Sequence, residues 1–178
     1  MSEVTLETLL TKQQAIMAQI PPNLTLSQYI DFFGATGAGK SSLLSYLIDF
    51  SKLEFESDGI GYNLKHPTST LMPVIGNTNN SETEIPACYR KPGMDFIDLP
   101  GIFDTKGTIQ EIINAFSNSL IFKRNNTFKF VIVVELSSLQ ERRGSTFVDV
   151  ISRMEALLGS DFPHIAESCS LVISKVVP

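Results

Sequence analysis

The sequence predicts an α/β fold in which helices cover both faces of a mainly parallel sheet, forming a three-layer sandwich. Short apolar segments alternate along the chain with segments of helical periodicity, as strands and crossover helices do in such folds. A glycine-rich turn joins the first apolar strand segment to the helix after it, and a Pro-Gly link joins two later strand segments. The short Pro-Gly link predicts one antiparallel strand in the otherwise parallel sheet.

The predicted strands are short, apolar and bounded by turn residues, and they cover residues 27–33, 84–90, 94–98, 128–136 and 170–177. Apolar residues at helical spacing predict helices at 4–20, 40–51, 108–123 and 146–158. The predicted buried face of the helix at 108–123 consists of Ile109, Ile112, Ile113, Phe116 and Leu120. Residues 53–83 have no clear period, so we predict an irregular stretch that is functional or mobile.

The chain is predicted to divide into an N-terminal extension, residues 1–26, and one domain, residues 27–178. The extension carries the amphipathic helix 4–20, which ends at Pro21-Pro22 because proline cannot continue a helix. Its apolar face has two interpretations. It could dock a protein partner, or it could pack on the sheet of its own chain, which is the commoner fate of such a face.

The composition is that of an ordinary globular protein, with 43% apolar residues among 178 and a formal charge of −5. A nucleic-acid partner is not expected, because phosphate-backbone binding needs a basic surface and the sequence has no dense Lys/Arg cluster. The longest apolar run, 130–134, is far too short to span a membrane. The first residues include Glu3 and Glu7 and no signal-like apolar region, so we expect a cytoplasmic protein.

The turn at residues 34–41 reads GATGAGKS and matches the phosphate-binding pattern G-x-x-x-x-G-K-[ST] in full. Its glycines let several backbone N–H groups converge on an anion, and the following helix adds the positive end of its dipole. Lys40 is expected to reach the β- and γ-phosphates, and the Ser41 hydroxyl to bind Mg²⁺. An apolar strand precedes the turn and an apolar-periodic helix follows it, so the motif predicts a P-loop. The predicted nucleotide-binding residues here are Thr36, Gly37, Ala38, Gly39, Lys40, Ser41 and Ser42.

A second candidate segment, Asp98-Leu99-Pro100-Gly101, ends the predicted strand 94–98. An aspartate at the end of a buried strand beside a P-loop can hold Mg²⁺ through water, and Gly101 can offer its N–H to the γ-phosphate. The pattern D-x-x-G is common by chance and can be a simple strand-ending turn. Its position one hairpin after a P-loop favours the metal-binding interpretation.

These two segments, GATGAGKSS and DLPGIFDT, resemble those of the septin-related (paraseptin-like) GTPases, which include the immunity-associated and chloroplast-import receptor GTPases. They are also similar to segments of uncharacterised protist P-loop proteins. The resemblance spans residues 29–176, and only short motifs carry it. It implies a P-loop GTPase fold, GTP or GDP with Mg²⁺, and a switch threonine that ligates the metal. We take Thr83, just before the strand that leads to Asp98, as that threonine, with Thr78 as the alternative.

Two further positions bear on hydrolysis. Ile102 follows Gly101 where Ras-like proteins have a glutamine that orients water, so we expect slow intrinsic turnover. In the immunity-associated relatives, an arginine in a segment similar to residues 140–144 acts across a dimer on the partner's nucleotide. The resemblance therefore implies that Arg142 or Arg143 could act in trans in a homodimer. The simpler interpretation is a pair of solvated arginines ahead of a helix.

The pattern for guanine recognition is incomplete. The segment that corresponds to [NT]-K-x-D reads Ser174-Lys175-Val176-Val177, in which Lys175 can cover the base but Val177 cannot accept a hydrogen bond. The GTPase domains that the chain resembles continue through another strand and helix. We therefore expect a C-terminally incomplete domain that lacks the last strand and helix and has an open edge, truncated or completed by a partner.

We expect a Mg²⁺-dependent guanine-nucleotide-binding domain with slow GTP hydrolysis. Two alternatives stay open: an ATP-using P-loop enzyme, favoured by the missing guanine carboxylate, and a structural module that retains nucleotide without turnover, favoured by Ile102. The expected catalytic contributions come from Lys40, Thr83, Gly101, Arg142 and Arg143, and the expected metal ligands are Ser41, Thr83 and Asp98.

Overall fold

The computed structural model describes residues 7, 11, 14, 15, 18, 29–57, 59, 62–65, 72–73, 86–102, 108–124, 128–141 and 144–176. The strands in these ranges are β1 (Tyr29–Phe33), β2 (Glu54–Ser57), β3 (Tyr62–Lys65), β4 (Ala87–Lys91), β5 (Met94–Asp98), β6 (Phe128–Glu135) and β7 (Cys169–Ser174). The α-helices are α1 (Lys40–Asp49), α2 (Thr108–Arg124), α3 (Leu136–Gln140), α4 (Ser145–Leu158) and α5 (Phe162–Ile165). Short 3₁₀ turns cover Phe50–Lys52, Gly159–Asp161 and Ala166–Ser168.

The main sheet has the strand order β4-β5-β1-β6-β7. Strand β1 is central and parallel to β5 and β6, and β7 is parallel to β6. Strand β4 is antiparallel to β5, because the two are joined by the tight Pro92-Gly93 turn, in which Gly93 has a φ of +83°. The predicted α/β fold, mainly parallel with one antiparallel strand, is confirmed.

Helices cover both faces of this sheet. Side chains alternate along β1, so Phe32 points to one face while Tyr29 and Phe33 point to the other. On the first face, fully buried Leu44 of α1 packs into a cluster with Phe32. On the second face, buried residues of α2 and α4 share a cluster with Tyr29 and Phe33, including Met154 of α4. Full burial of a leucine such as Leu44 stabilises the fold by about 1.5–3 kcal/mol.

The prediction of an irregular stretch at 53–83 is wrong in part, because β2 and β3 form an antiparallel hairpin outside the main sheet. All four residues of β2 are exposed, including Phe55 at 71%, so the segment lacks the half-buried alternation from which a strand is predicted. Lys65 and Glu56 form a cross-strand salt bridge that supports the pairing.

The predicted buried face of α2 is wrong in part, since Ile113 is buried as predicted but two other members of that face are exposed. Ile112 is 56% exposed and Phe116 is 47% exposed. The helix instead buries a neighbouring face, on which the apolar residues Ile113 and Ile121 flank polar ones. These buried polar residues of α2 are Asn114, Ser117 and Asn118. Ser117 satisfies its hydroxyl within the helix by donating to the Ile113 carbonyl at 2.6 Å, which lets a polar side chain be buried at low cost.

Several predicted boundaries shift by a few residues. Strand β4 begins at Ala87 because Pro86 has no N–H for the ladder. Strand β6 ends at Glu135, and the short helix α3 follows directly, where the sequence pattern extends the strand to Leu136. The residues of the predicted helix 4–20 that the structure describes are helical and exposed: Glu7, Thr11, Gln14, Ala15 and Ala18. The rest of that helix lies outside the described residues.

In the described parts of the chain, no helix combines the length and apolarity needed to cross a membrane. Both cysteines are free thiols. Cys88 lies on β4 and Cys169 on β7, at opposite edges of the main sheet, so they cannot pair with each other. Burial raises the pKa of Cys88 to about 11, which keeps this thiol protonated and unreactive at neutral pH.

A buried carboxyl group interrupts the apolar core at Asp31, in the middle of β1. Asp31 lies on the same face as Tyr29, the face that α2 covers. Among the described residues, neither carboxyl oxygen of Asp31 has a hydrogen-bond partner, and Oδ1 of buried Asn118 on α2 has none either. Burial raises the pKa of Asp31 well above its ordinary value, because the charged form is poorly solvated there.

This raised pKa predicts a pH-dependent stability that depends on Asp31. Between the ordinary pKa of about 3.9 and the higher value in the folded protein, unfolding releases a proton. The free energy of unfolding therefore falls as pH rises through this window, by about 1.4 kcal/mol per pH unit, and levels off above the folded pKa. Asp31→Asn lacks this titration. Urea denaturation of both proteins at about pH 5 and pH 7.5 should show the wild type losing stability relative to the variant; a pH-independent difference would contradict the prediction.

Candidate functional site

The loop between β1 and α1 has the backbone geometry of an anion-binding nest. Gly37 and Gly39 have left-handed φ angles of +81° and +90°, which turn neighbouring N–H groups toward a common side. Gly39 precedes α1, and the Leu43 N–H donates to its carbonyl at 3.0 Å as the first helical bond. The positive end of the α1 dipole therefore lies at the same loop.

Gly34 is required at the start of the loop by a close approach to the neighbouring strand. A Cβ atom at this position would lie 2.3 Å from the carbonyl oxygen of Val133 in β6. A glycine alone lets the backbone leave β1 against β6 without a clash. The first glycine of the motif is thus explained by packing, whereas Gly37 has nothing within 4 Å of its Cβ position.

Lys40 stabilises the loop through hydrogen bonds to its backbone carbonyls. Its Nζ donates to the carbonyls of Gly34 at 3.2 Å and Ala35 at 3.1 Å, and the residue is only 7% exposed. Since N–H and C=O groups of a trans peptide point in opposite directions, carbonyls drawn toward Lys40 leave the amides facing away from them. The result is a nearly buried positive charge beside a nest of amides, an arrangement that favours a bound phosphate.

The side chains of Ser41 and Asp98 are hydrogen-bonded to each other beside the loop. The Ser41 hydroxyl, in the first turn of α1, donates to Asp98 Oδ2 at 2.8 Å. Asp98 is the last residue of β5 and is 1% exposed, and the parallel register with Phe32 brings it beside the end of β1. A hydroxyl and a carboxylate are the hard oxygen donors that Mg²⁺ prefers in phosphate sites, so this pair fits a magnesium site completed by phosphate oxygens and water.

The segment that follows Asp98 is joined to the loop at residues 34–41 by backbone hydrogen bonds. Ile102 N–H donates to the Gly34 carbonyl at 3.3 Å, and the Ile102 carbonyl accepts from the Thr36 N–H at 3.0 Å. These bonds continue the parallel pairing of β1 and β5 as a bridge between Ala35 and Ile102. A Cβ on Gly101 would come within 2.8 Å of the Thr36 backbone, so only glycine fits there. A shift of the phosphate loop must therefore move Gly101.

The C-terminal end of β7 is hydrogen-bonded to the loop through Ser174. The Ser174 hydroxyl is 2.7 Å from the Ala38 carbonyl, to which it donates, and 3.3 Å from that of Val134. Lys175 has a left-handed φ of +51°, and its Nζ donates to Glu135 Oε2 at 3.0 Å. The carboxyl ends of β1, β6 and β7 thus lie together at one end of the sheet, where ligands bind in folds of this kind.

A cleft that is open to solvent lies beside the loop at this end of the sheet. Its lining includes the loop residues Ala35, Thr36 and Ala38, Glu135 at the end of β6, and Thr146 on α4. Partial burial pushes the pKa of Glu135 upward, but the hydrogen bonds from Lys175 and Ser137 outweigh it, so the pKa lies below its ordinary value. Glu135 is therefore ionised at neutral pH.

The structure gathers the predicted residues 36–42, Asp98, Gly101 and Lys175 around one loop. Ser42 is half-buried in the first turn of α1, next to Ser41. The remaining predicted positions lie outside the described residues, and their roles stay predictions: Thr78, Thr83, Arg142, Arg143 and Val177. The pairing of Glu135 with Lys175 was not predicted from the sequence, because only the register of β6 against β7 reveals it.

Neither a protein-family profile nor a curated protein sequence matches the chain. Among solved structures, the chain is similar to one from Chaetomium thermophilum described as the signal recognition particle receptor SRb-GTP/SRX complex. The identity is 14%, the TM-score is 0.42, and the match covers 84% of this chain and 69% of the other. A likeness at this level carries no information on function, so the assignment of a function rests on the loop and the residues around it.

Proposed function

We propose that this chain is a P-loop domain that binds GTP or GDP together with Mg²⁺ and hydrolyses GTP slowly. One observation carries the proposal: Lys40 donates hydrogen bonds to the carbonyls of the glycine-rich loop, and Ser41 and Asp98 are hydrogen-bonded to each other beside it. The amides, the cation and the two metal-type oxygen donors are the complementary partners of a nucleotide's phosphates and its magnesium ion.

Each residue of the site then has one role. The amides of residues 37–41 and the Lys40 ammonium hold the β- and γ-phosphates. Ser41 would ligate Mg²⁺ directly, Asp98 would hold it through water, and Thr83 is the proposed switch ligand. The bound metal would neutralise charge on the phosphate oxygens. Gly101, fastened to Thr36 through Ile102, is the group that senses the γ-phosphate.

Slow turnover follows from the position of Ile102. Its side chain is half-buried against the core beneath α2 and α4, and its backbone is bonded to the phosphate loop on both its N–H and its C=O. An apolar residue held in this way cannot orient an attacking water, so the chain lacks at this position the group that accelerates hydrolysis in Ras-like proteins.

The septin-related assignment and a homodimer across the nucleotide rest on the sequence resemblance, as does a role for Arg142 or Arg143 in trans. Exposed apolar side chains available for contacts include Ile112 on α2 and Leu171 on the edge strand β7. The helix at 4–20 is a further candidate for contact with a protein partner. The cytoplasm is the proposed location.

A nucleotide-bound structural module is the second candidate function. The observation that favours it is again Ile102, whose side chain and backbone both serve packing. An ATP-using P-loop enzyme remains the third alternative, because Val177 cannot supply the guanine-reading carboxylate. Turnover of bound GTP separates the first candidate from the second, and competition between GTP and ATP separates it from the third.

The magnesium dependence of nucleotide affinity tests the proposal. In the wild-type protein, Mg²⁺ should tighten GTP binding by about 10- to 100-fold over binding in EDTA, a gain of about 1.4–2.8 kcal/mol. Ser41→Ala should lose most of this gain while keeping its affinity in EDTA, because the amide nest and Lys40 are unchanged. Ser152→Ala, an exposed change on α4, is the control and should behave as the wild type. Equal magnesium gains in Ser41→Ala and the wild type would contradict the assigned role.

A further inference from the structure

The chain lacks a carboxylate at position 177, where the pattern [NT]-K-x-D places the group that reads guanine, but it carries another one nearby. We propose that Glu135 accepts the hydrogen bonds of the guanine edge and determines the base specificity of this site. The inference rests on the proposed function, since it names the residue that selects the base of the same nucleotide.

The position of Glu135 supports this role. Glu135 is the last residue of β6 and pairs in register with Ser174 at the end of β7. The Ser174 hydroxyl donates to the Ala38 carbonyl of the loop, so Glu135 lies beside the loop, and it is one of the residues that line the solvent-open cleft. A nucleotide whose phosphates occupy the loop would extend across the carboxyl ends of the parallel strands, because these ends form the binding crevice.

The partner of Glu135 is the residue expected to cover the base. Lys175 donates to Glu135 Oε2 at 3.0 Å, and Ser137 donates to Oε1 at 2.8 Å. Lys175 is the only non-glycine residue with positive φ among the described residues, a conformation that costs about 1–2 kcal/mol. Local strain of this kind tends to be kept at functional sites. From this backbone conformation the Lys175 ammonium group reaches Glu135 Oε2.

The chemistry of the purine edge fits an ionised carboxylate. Guanine presents two adjacent donors, N1–H and the 2-amino group, and two carboxylate oxygens accept both. Adenine presents the N1 acceptor toward the same group and is repelled. The Glu135 side chain is 30% exposed, so part of it is open to solvent and to a ligand. Its ionised state at neutral pH leaves it an acceptor only, as guanine recognition requires.

A base-swap experiment tests the assignment. Labelled GDP bound in Mg²⁺ buffer is displaced by unlabelled GDP, IDP, XDP or ADP, for wild type, Glu135→Gln and the control Glu141→Gln, an exposed residue beyond α3. IDP lacks the 2-amino donor, so the wild type should bind it about 10-fold more weakly than GDP. XDP has a carbonyl in place of that amino group, and glutamine can donate to a carbonyl where glutamate cannot.

Glu135→Gln should therefore bind GDP roughly 10- to 100-fold more weakly and gain affinity for XDP, while Glu141→Gln keeps the wild-type order. The reversed GDP-to-XDP preference is a readout that loss of the Lys175 pairing alone does not produce. An unchanged preference in Glu135→Gln overturns the assignment, as does equal binding of GDP and ADP by the wild type; in both cases phosphate binding by the loop still stands. A wild type that binds none of the four overturns the proposed function as well.

Discussion

Replacing Lys40 by methionine is expected to weaken the binding of GDP and GTP by about 100-fold, a free-energy loss of about 2.7 kcal/mol. The substitution keeps the aliphatic stem and removes a nearly buried ammonium group together with its bonds to the Gly34 and Ala35 carbonyls. Two effects add: the phosphates lose a charge-assisted hydrogen bond, and the loop loses the cation that orients its amides. Binding isotherms with labelled GDP measure the loss.

Lys52→Met is the matched control for Lys40→Met. Lys52 is 53% exposed and pairs with Asp49 at the surface, an interaction worth about 0–1 kcal/mol, so its loss should leave nucleotide affinity unchanged. Thermal unfolding of both variants checks that the fold survives. If Lys40→Met binds GDP within about twofold of the wild type, the ammonium group does not contact phosphate and the loop has been assigned the wrong role.

Gly34→Ala is expected to destabilise the folded protein by about 3 kcal/mol or more, before any nucleotide is added. The added methyl group would lie 2.3 Å from the Val133 carbonyl oxygen, and that oxygen belongs to the backbone of β6. Relief of this clash must separate β1 from β6 at the centre of the sheet, since a backbone atom cannot rotate away as a side chain can. For a chain of this length, the midpoint of thermal unfolding should fall by about 6–12 °C.

Gly93→Ala provides the comparison for Gly34→Ala. Gly93 also has positive φ, at +83°, but nothing lies within 4 Å of its Cβ position. Its replacement should cost only the conformational strain of about 1–2 kcal/mol. Measuring both variants by urea denaturation separates strain from collision. Equal destabilisation of the two would show that Gly34 is not pressed against β6, and the packing account of the first loop glycine would be wrong.

The turn at residues 34–41 and the strand that ends at Asp98 were predictable because short-range rules govern them. The spacing of Gly34, Gly39, Lys40 and Ser41 fixes a turn and a helix start within eight residues, and an apolar strand leads to Asp98. The antiparallel hairpin of β4 and β5 was predictable for the same reason, since a Pro-Gly turn leaves no room for a crossover. The turn, the helix start and the hairpin each depend on residues that are close in the sequence, whereas the contact of Ser41 with Asp98 joins residues 57 positions apart.

The features that sequence reasoning missed depend on contacts between distant segments. The choice of the buried face of α2 is one: Ile112 and Phe116 fit an apolar stripe, yet the helix buries Asn114 and Ser117 on the adjacent face. When a helix has apolar residues on two neighbouring faces, its periodicity alone does not decide which face is buried. Packing against the sheet decides it.

The pairing of Glu135 with Lys175 and the clamp between Ile102 and Thr36 are also non-local. Forty residues separate the first pair and 66 separate the second. Their contacts follow from parallel registers, and no local pattern encodes a parallel register. The hairpin of β2 and β3 was missed for a different reason: its exposed residues, such as Phe55, carry no burial pattern for a prediction to use.

Calorimetric titration of GDP into the protein decides whether the loop at residues 34–41 binds a nucleotide's phosphates with Mg²⁺. We expect saturable binding of one GDP per chain, weakened by EDTA and competed by GTP, with ADP and ATP competing poorly. Equal competition by the adenine nucleotides would remove the guanine assignment alone. If none of the four nucleotides binds saturably, with or without Mg²⁺, the loop does not bind nucleotide phosphates.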